Sequence, residues 1–406
     1  MEPSTMSEAN RVPPHVPPEL VYDFDCFAAV PPGLDAQEHW RRLRDEAPGE
    51  VFWTPRYGGN WVATRAEDIV RIQLEHETFS HALISIPRET AFPMYPLTLD
   101  PPEQAAYRRL IQPAFMPKAI AALEARAREV AIEQIDKLAP RGECEFVGEF
   151  ARVLPIVIFL EMVDLPLSDA GPMMEWTEVM TRSADPAERN QALANMSGYL
   201  QGWIQRRAEA PGKDLLSTVV TAEIDGRKLG GEEIMAMCLL LLFGGLDTVA
   251  SMLSFIARFL ALNPAHRREL VEDPALIPHA VEELIRRHAV ANTCRLVKQD
   301  VVLKGAPLKA GDQIQAPNVF VGLDEATVAD PMRVDFHRER PIPHAAFGNG
   351  VHTCPGAVLA RREIKVFLEE WLARIPEFEV KPGTTPVVEA GNVSGVVELQ
   401  LAWPAA

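Results

Sequence analysis

Residues 347–356 spell FGNGVHTCPG, one cysteine among three glycines just ahead of a helical pattern. Gly348, Gly350 and Gly356 free the backbone to curl around the sulfur, and Pro355 with the following helix sets Cys354 at a positive helix N-terminus. Such a position favours thiolate. A lone thiolate without a second cysteine or a histidine pair beside it is a poor start for zinc, which takes four ligands. It suits a haem iron, whose four equatorial ligands arrive with the cofactor. Most single cysteines are small core residues, and the surrounding glycines set this one apart.

A second pattern is LLFGGLDTVAS, Leu241 to Ser251, inside a long apolar run. Two adjacent glycines in a helix cost roughly 1 kcal/mol each relative to alanine, so something must offset them. One reading has a flat ligand lying against Gly244 and Gly245, with the Thr248 hydroxyl turned back to the Gly244 carbonyl and Asp247 relaying protons. The other has the glycines packing against a second helix and Asp247 solvated or paired. A third pattern, EELIRR, places Glu283 and Arg286 one helical turn apart, which by itself is a common helix charge pair.

Several elements must position these groups. Helices are expected over HWRRLRDE, AEDIVRIQLEHE, Ala119 to Leu138, Glu149 to Met162, Gly171 to Arg182 and Arg189 to Glu209. A central helix from Gly231 to Leu262, two more at Pro264 to Glu272 and Ile277 to His288, and one after Cys354 complete the set. VFWTP and NWVATR form a strand pair, and short alternating runs such as VVLKG and DQIQAP suggest a small sheet. Prolines break IPRETAFPMYPLTLDPPEQ into an irregular loop of the kind that often carries function. With no repeat or linker, the expected organisation is an extended proline-rich arm over 1–38 and one helix-rich domain with minor sheet over 39–406.

Composition removes several function classes. The net charge is -17, with 57 acidic and 40 basic side chains, so no nucleic acid or anionic membrane is expected as partner. The apolar run Ile234 to Leu246 falls short of the roughly 20 residues of a membrane helix and leads into Asp247. No basic start followed by an apolar stretch marks a secretory signal. Five scattered cysteines without CxxC spacing suit a reducing cytoplasm better than a disulfide framework.

Gly-Gly-x-Asp-Thr, Glu-x-x-Arg and Phe-x-x-Gly-x-His-x-Cys-x-Gly occur in this order in one chain, and the sequence resembles a cytochrome P-450, a haem-thiolate monooxygenase. The resemblance runs from about residue 40 to the end. IPRE, LDPPEQ, LLFGGLDTVAS, HAAFGNGVHTCPG, LARREI and NVSGV bring it near the bacterial camphor hydroxylase family. It implies a mainly α, single-domain P-450 fold binding haem b, with Cys354 as axial iron ligand and Asp247 and Thr248 delivering protons on the opposite face. Phe347, Gly350, His352 and Gly356 match the haem-binding loop, and Gly244 the oxygen-binding helix. Gln104, Arg108, Arg295 and His352 match the residues that hold the haem propionates, although many relatives have histidine where Gln104 stands. Glu283 and Arg286, joined by Arg338, would brace the region beneath the haem.

No flavin or nicotinamide motif is present, so electrons are expected from a small acidic [2Fe–2S] ferredoxin reduced by an NADH-dependent reductase. Arg71, Arg109, Arg361 and Arg362 are the candidate docking cations, unless they are simply a scattered solvated face. Leu240 and Phe243 stand on the helix before Asp247 and are expected on its face. Phe92, Met94 and Tyr95 in the roof loop and Asn392 and Val393 in a C-terminal turn complete an apolar pocket, each with core packing as the alternative. The tyrosine that binds camphor's ketone has no secure counterpart, so the expected substrate is a compact terpenoid or norisoprenoid, an ionone-like ketone over camphor. A peroxide-driven peroxygenase and a non-catalytic haem sensor are the rival readings; the Asp247–Thr248 pair argues for O2 activation.

Overall fold

The computed structural model describes residues 12–404. Of the arm expected over 1–38, residues 1–11 lie outside the described residues. From residue 12 the chain packs onto the domain: Val16 and Phe24 are buried, and Tyr22 N donates to Trp53 O at 2.8 Å. Helix α1 (Ala36–Asp45) begins three residues before the expected boundary, because the Asp35 carboxylate accepts from Glu38 N at 2.7 Å and caps it.

Strands β1 (Val51–Thr54) and β2 (Asn60–Ala63) pair antiparallel, followed by α2 (Ala66–Leu74) and β3 (Phe79–Ser80). After the proline-rich loop come α3 (Glu103–Ile111), α4 (Pro117–Leu138), β4 (Glu143–Glu145) and α5 (Val153–Val163). A π-turn over Val147–Ala151 delays α5 relative to the helix expected from Glu149. Next are α6 (Ala170–Arg182), α7 (Pro186–Glu209), the short α8 (Leu215–Val220) and the hairpin of β5 (Glu223–Ile224) and β6 (Arg227–Lys228). Neither α8 nor the hairpin was marked by periodicity.

The expected central helix is two helices, α9 (Gly231–Leu246) and α10 (Thr248–Leu262), broken at Asp247. The break sits where the Thr248 hydroxyl donates to Gly244 O at 3.2 Å, the side-chain competition expected from the sequence. This segment is long and apolar enough to cross a membrane, but most of its apolar window is buried in the fold. Helices α11 (Pro264–Glu272) and α12 (Ile277–Arg287) lead into β7 (Asn292–Val297), β8 (Val301–Leu303), β9 (Ala306–Leu308), β10 (Gln313–Pro317) and α13 (Asn318–Gly322). Helix α14 (Ala357–Arg374) follows the cysteine loop, and β11 (Glu379–Val380), β12 (Val387–Glu389), β13 (Gly395–Glu398) and β14 (Gln400–Ala402) end the chain.

The largest sheet runs β1-β2-β10-β7-β3, with β10 parallel to β2 and antiparallel to β7. Burial of its flanking side chains makes one core; a second centres on Phe146, Phe150, Phe367 and Trp371 between α4, α10 and α14; a third joins α5 to α9. Phe347 of the cysteine loop and Val249 after the α9–α10 break pack on the second core, Leu246 before the break lies in the third, and Cys294 and Val297 of β7 lie in the first.

Candidate active site

The cysteine loop is held by its own backbone. Gly348 and Gly350 have φ of 66° and 69°, left-handed values that favour glycine, and a Cβ on Gly350 would come within 2.9 Å of Leu74 Cδ2. Gly356, with φ of -79°, needs no such freedom; what it contributes is its N–H. Cys354 N donates to Phe347 O at 2.9 Å, which closes the loop. The other four cysteines are buried, and Cys354 alone is exposed.

Although the residue is open on one side, protein crowds the sulfur. This desolvation raises the thiol pKa, opposed by the Gly356 and Ala357 N–H groups and by the Arg108 and Arg361 guanidiniums. At the free thiol, burial outweighs the helix terminus and the two guanidiniums. A metal ion on the sulfur would supply the missing positive charge.

Along α9 and into α10, Leu240, Phe243, Gly244 and Thr248 are left partly open, a stripe at helical spacing. The two glycines do different jobs. A Cβ on Gly244 would meet nothing within 4 Å, whereas one on Gly245 would lie 2.6 Å from Phe159 Cγ. Gly244 keeps an open surface, and Gly245 allows α5 to approach. Asp247 leaves the expected face: it is 2 % exposed, and both its oxygens accept from Arg182 Nη2, at 2.9 and 2.8 Å. The same Nη2 reaches Ser251 Oγ at 2.8 Å. Arg182, at the end of α6, carried no local signal because its partner lies far along the chain.

Three of the expected carboxylate donors are committed in part. Gln104 Nε2 donates to Val351 O at 3.0 Å, and Arg108 Nη2 to Thr353 O at 2.6 Å, so both brace the cysteine loop. Arg295 Nη1 donates to Thr293 Oγ1 and the Cys294 carbonyl, but its Nε is buried without a partner. His352 Nε2 is likewise buried and unpartnered. Burial, with Arg295 beside it, lowers the His352 pKa to about 4. His81, which no sequence motif marked, stacks on His352 with ring centroids 3.5 Å apart.

Glu283 and Arg286 are fully buried and doubly bonded, at 2.8 and 2.7 Å. Arg286 Nη1 also donates to the Gly322 and Pro331 carbonyls, both at 2.6 Å, and Arg338 Nε donates to Glu283 at 3.2 Å. The three clamp α12 to the irregular segment ahead of the cysteine loop.

On the apolar side, the rings of Phe92 and Phe243 meet at 5.3 Å. Met94 is buried without joining any core cluster, and the Tyr95 hydroxyl makes no hydrogen bond among the described residues. Val393 is half-buried against the α10–α14 core. The Asn392 amide is spent on Ile86, donating to its carbonyl at 2.7 Å and accepting from its N–H at 3.1 Å, so this residue ties the roof loop to the C-terminal turn. Phe347 carries the Arg361 guanidinium on its ring at 4.6 Å while Arg361 pairs with Glu282. Arg361 is thus engaged within the protein. Arg71 pairs with Glu75 and Arg362 with Glu124, and Arg109 is exposed without an ion pair among the described residues.

The residues fit haem: an exposed thiol for iron, an open surface at Gly244 for a flat ring, and buried donors lacking acceptors for carboxylates. The model of the family Cytochrome P450 matches residues 187–399. The Sinorhizobium fredii protein named "Probable cytochrome P450 127A1" is 33% identical over 98% of both chains. Mycinamicin IV hydroxylase/epoxidase of Micromonospora griseorubida is 32% identical, covering 91% of this chain and 96% of its own. Among solved structures, CYP101J2 superposes with a TM-score of 0.87 at 38% identity, over 97% of this chain and 99% of its own. CYP101C1 gives 0.85 at 35%, over 97% and 100%.

Proposed function

This chain belongs to the cytochrome P450 family, and we propose that it hydroxylates a compact terpenoid or norisoprenoid, preferring an ionone-like ketone to camphor, with electrons from a [2Fe–2S] ferredoxin and its NADH-dependent reductase. The protein is a haem-thiolate monooxygenase with haem b as cofactor, and it draws on O2 and a redox partner. Haem, which Cys354 would hold through its sulfur, would supply O2 activation and the insertion of one oxygen atom into a C–H bond.

The chain's own residues bind, orient and exclude water. The observation that carries the substrate reading is the Phe92–Phe243 contact, which puts two aromatic rings beside the open surface of Gly244. With the Asn392 amide occupied by Ile86, the Tyr95 hydroxyl is the donor left for a substrate carbonyl. A site with one donor among apolar walls suits a small ketone. The Thr248 hydroxyl, fixed on Gly244 O, passes protons at the stripe, and buried Asp247 holds the carboxylate behind it.

For the electron donor, support comes from the surface around the cysteine loop. Leu74, Met116, Val351 and Val358 are about half exposed there, and Arg109 adds a free positive charge for an acidic partner. Five scattered cysteines, none bonded to another, support a cytoplasmic setting for this system. Titrating the purified holoenzyme with ionones and camphor tests the substrate reading. The expected result is a more complete low-to-high-spin conversion with an ionone; a more complete one with camphor refutes it.

A further inference from the structure

His81 follows β3 and lies where no family motif falls. Strands β3 and β7 pair Phe79 with Val297 and Ser80 with Leu296, and continuing that register by one residue sets His81 opposite Arg295. Its backbone N–H is used, donating to Asp100 Oδ1 at 3.0 Å. The imidazole is 1 % exposed, and neither ring nitrogen has a partner. It lies nearly parallel to His352, at 23° between planes and 3.5 Å between centroids, so stacking fixes both rings.

Around this stack the charges do not close within the protein. Arg295 is buried and bonded only to neutral acceptors, the Thr293 hydroxyl and the Cys294 carbonyl. The nearby Asp100 carboxylate accepts the His81 amide and stands 3.5 Å from Lys298 Nζ. The buried Arg295 Nε, both nitrogens of the buried His81 ring and the buried His352 Nε2 lack partners, and together with the guanidinium charge they call for an anionic acceptor. A carboxylate answers all three, since charge-assisted hydrogen bonds to it are among the strongest available.

We propose that His81 is a cofactor-binding residue, donating from its ring to the same haem propionate that His352 and Arg295 hold; this rests on haem being the cofactor. The imidazole thereby supplies a third donor on a site where Gln104 and Arg108 are turned to the cysteine loop.

The test follows haem transfer from purified holoenzyme to excess apomyoglobin for wild type, His81→Phe and His81→Gln. Phenylalanine keeps the stacking surface without a donor; glutamine keeps a donor. His81→Phe should release haem roughly ten-fold or more faster than wild type, with His81→Gln in between. Reconstituted with haem dimethyl ester, which has no propionate charge, wild type and His81→Phe should release at nearly equal rates. Equal release of native haem by wild type and His81→Phe overturns the proposal, as does an undiminished difference with the ester, which would make the effect one of packing. Should His81→Phe fail to fold, His81→Gln against wild type with the two haems decides on the same criteria. A wild-type protein that takes up no haem, or whose reduced carbonyl complex lacks the red-shifted Soret band, overturns the cofactor reading and this one with it, an outcome distinct from the others.

Discussion

Replacing the two glycines of α9 one at a time by alanine separates their roles. At Gly244 the new methyl meets no atom within 4 Å, so the helix gains up to about 1 kcal/mol of propensity with nothing to set against it in the protein. At Gly245 the same gain is opposed by a Cβ placed 2.6 Å from Phe159 Cγ and closer still to the ring edge. Phe159 is 7 % exposed and locked in the α5–α9 cluster, so it has little room to swing aside. Overpacking of this kind costs about 1–3 kcal/mol. The net expectation is that Gly245→Ala is less stable than Gly244→Ala by about 1–3 kcal/mol, measured by urea unfolding of the holoenzymes followed by circular dichroism. Equal stability of the two variants, or greater stability of Gly245→Ala, would refute the division of labour.

Two further expectations concern charge. Burial pushes the Glu363 carboxyl from its ordinary value of 4.5 up to about 8. A raised carboxyl stabilises the fold fully below the unfolded value and loses that stabilisation as pH rises through the folded value, at about 1.4 kcal/mol per unit and roughly 5 kcal/mol at most. Unfolding at about pH 5 and about pH 9 should therefore show a fall in stability for wild type that Glu363→Gln largely abolishes; a parallel fall in the variant would locate the effect elsewhere. On the surface, Arg109→Glu should cut ferredoxin-driven turnover about ten-fold while leaving peroxide-driven turnover intact, and equal loss of both would sink the docking assignment.

What the sequence made legible is local. The left-handed glycines of the cysteine loop, the Thr248 back-bond and the bounds of α11 follow from neighbours within a few positions. What it hid depends on chain return. Asp247 is paired because the end of α6 comes back to it, and Gly245 is required because Phe159 does. Asn392 is expected at the pocket, and only the arrival of Ile86 shows that its amide is spent. His81 had no motif to betray it, since its significance lies in a strand register and a stack across 271 positions. Residue type predicts chemistry well where the partner is a neighbour or a cofactor, and poorly where it is another distant side chain.

The electrostatics of the crevice make one further point about how such a site is specified. Crowding around the Cys354 sulfur holds its pKa above the ordinary value, so its thiolate form lacks a compensating positive charge. Arg295, His81 and His352 carry donors without acceptors, so that side lacks negative charge. A single metal ion would answer the first deficit and worsen the second; a free carboxylate would do the reverse. One rigid group with a cationic centre and anionic arms answers both at once, and so the chain discriminates for haem by two opposite imbalances, not by one strong contact. The cost falls on the apoprotein, which must bury the Arg295, His81 and His352 donors without acceptors, and so binding of haem adds to the stability of the fold as well as to its chemistry.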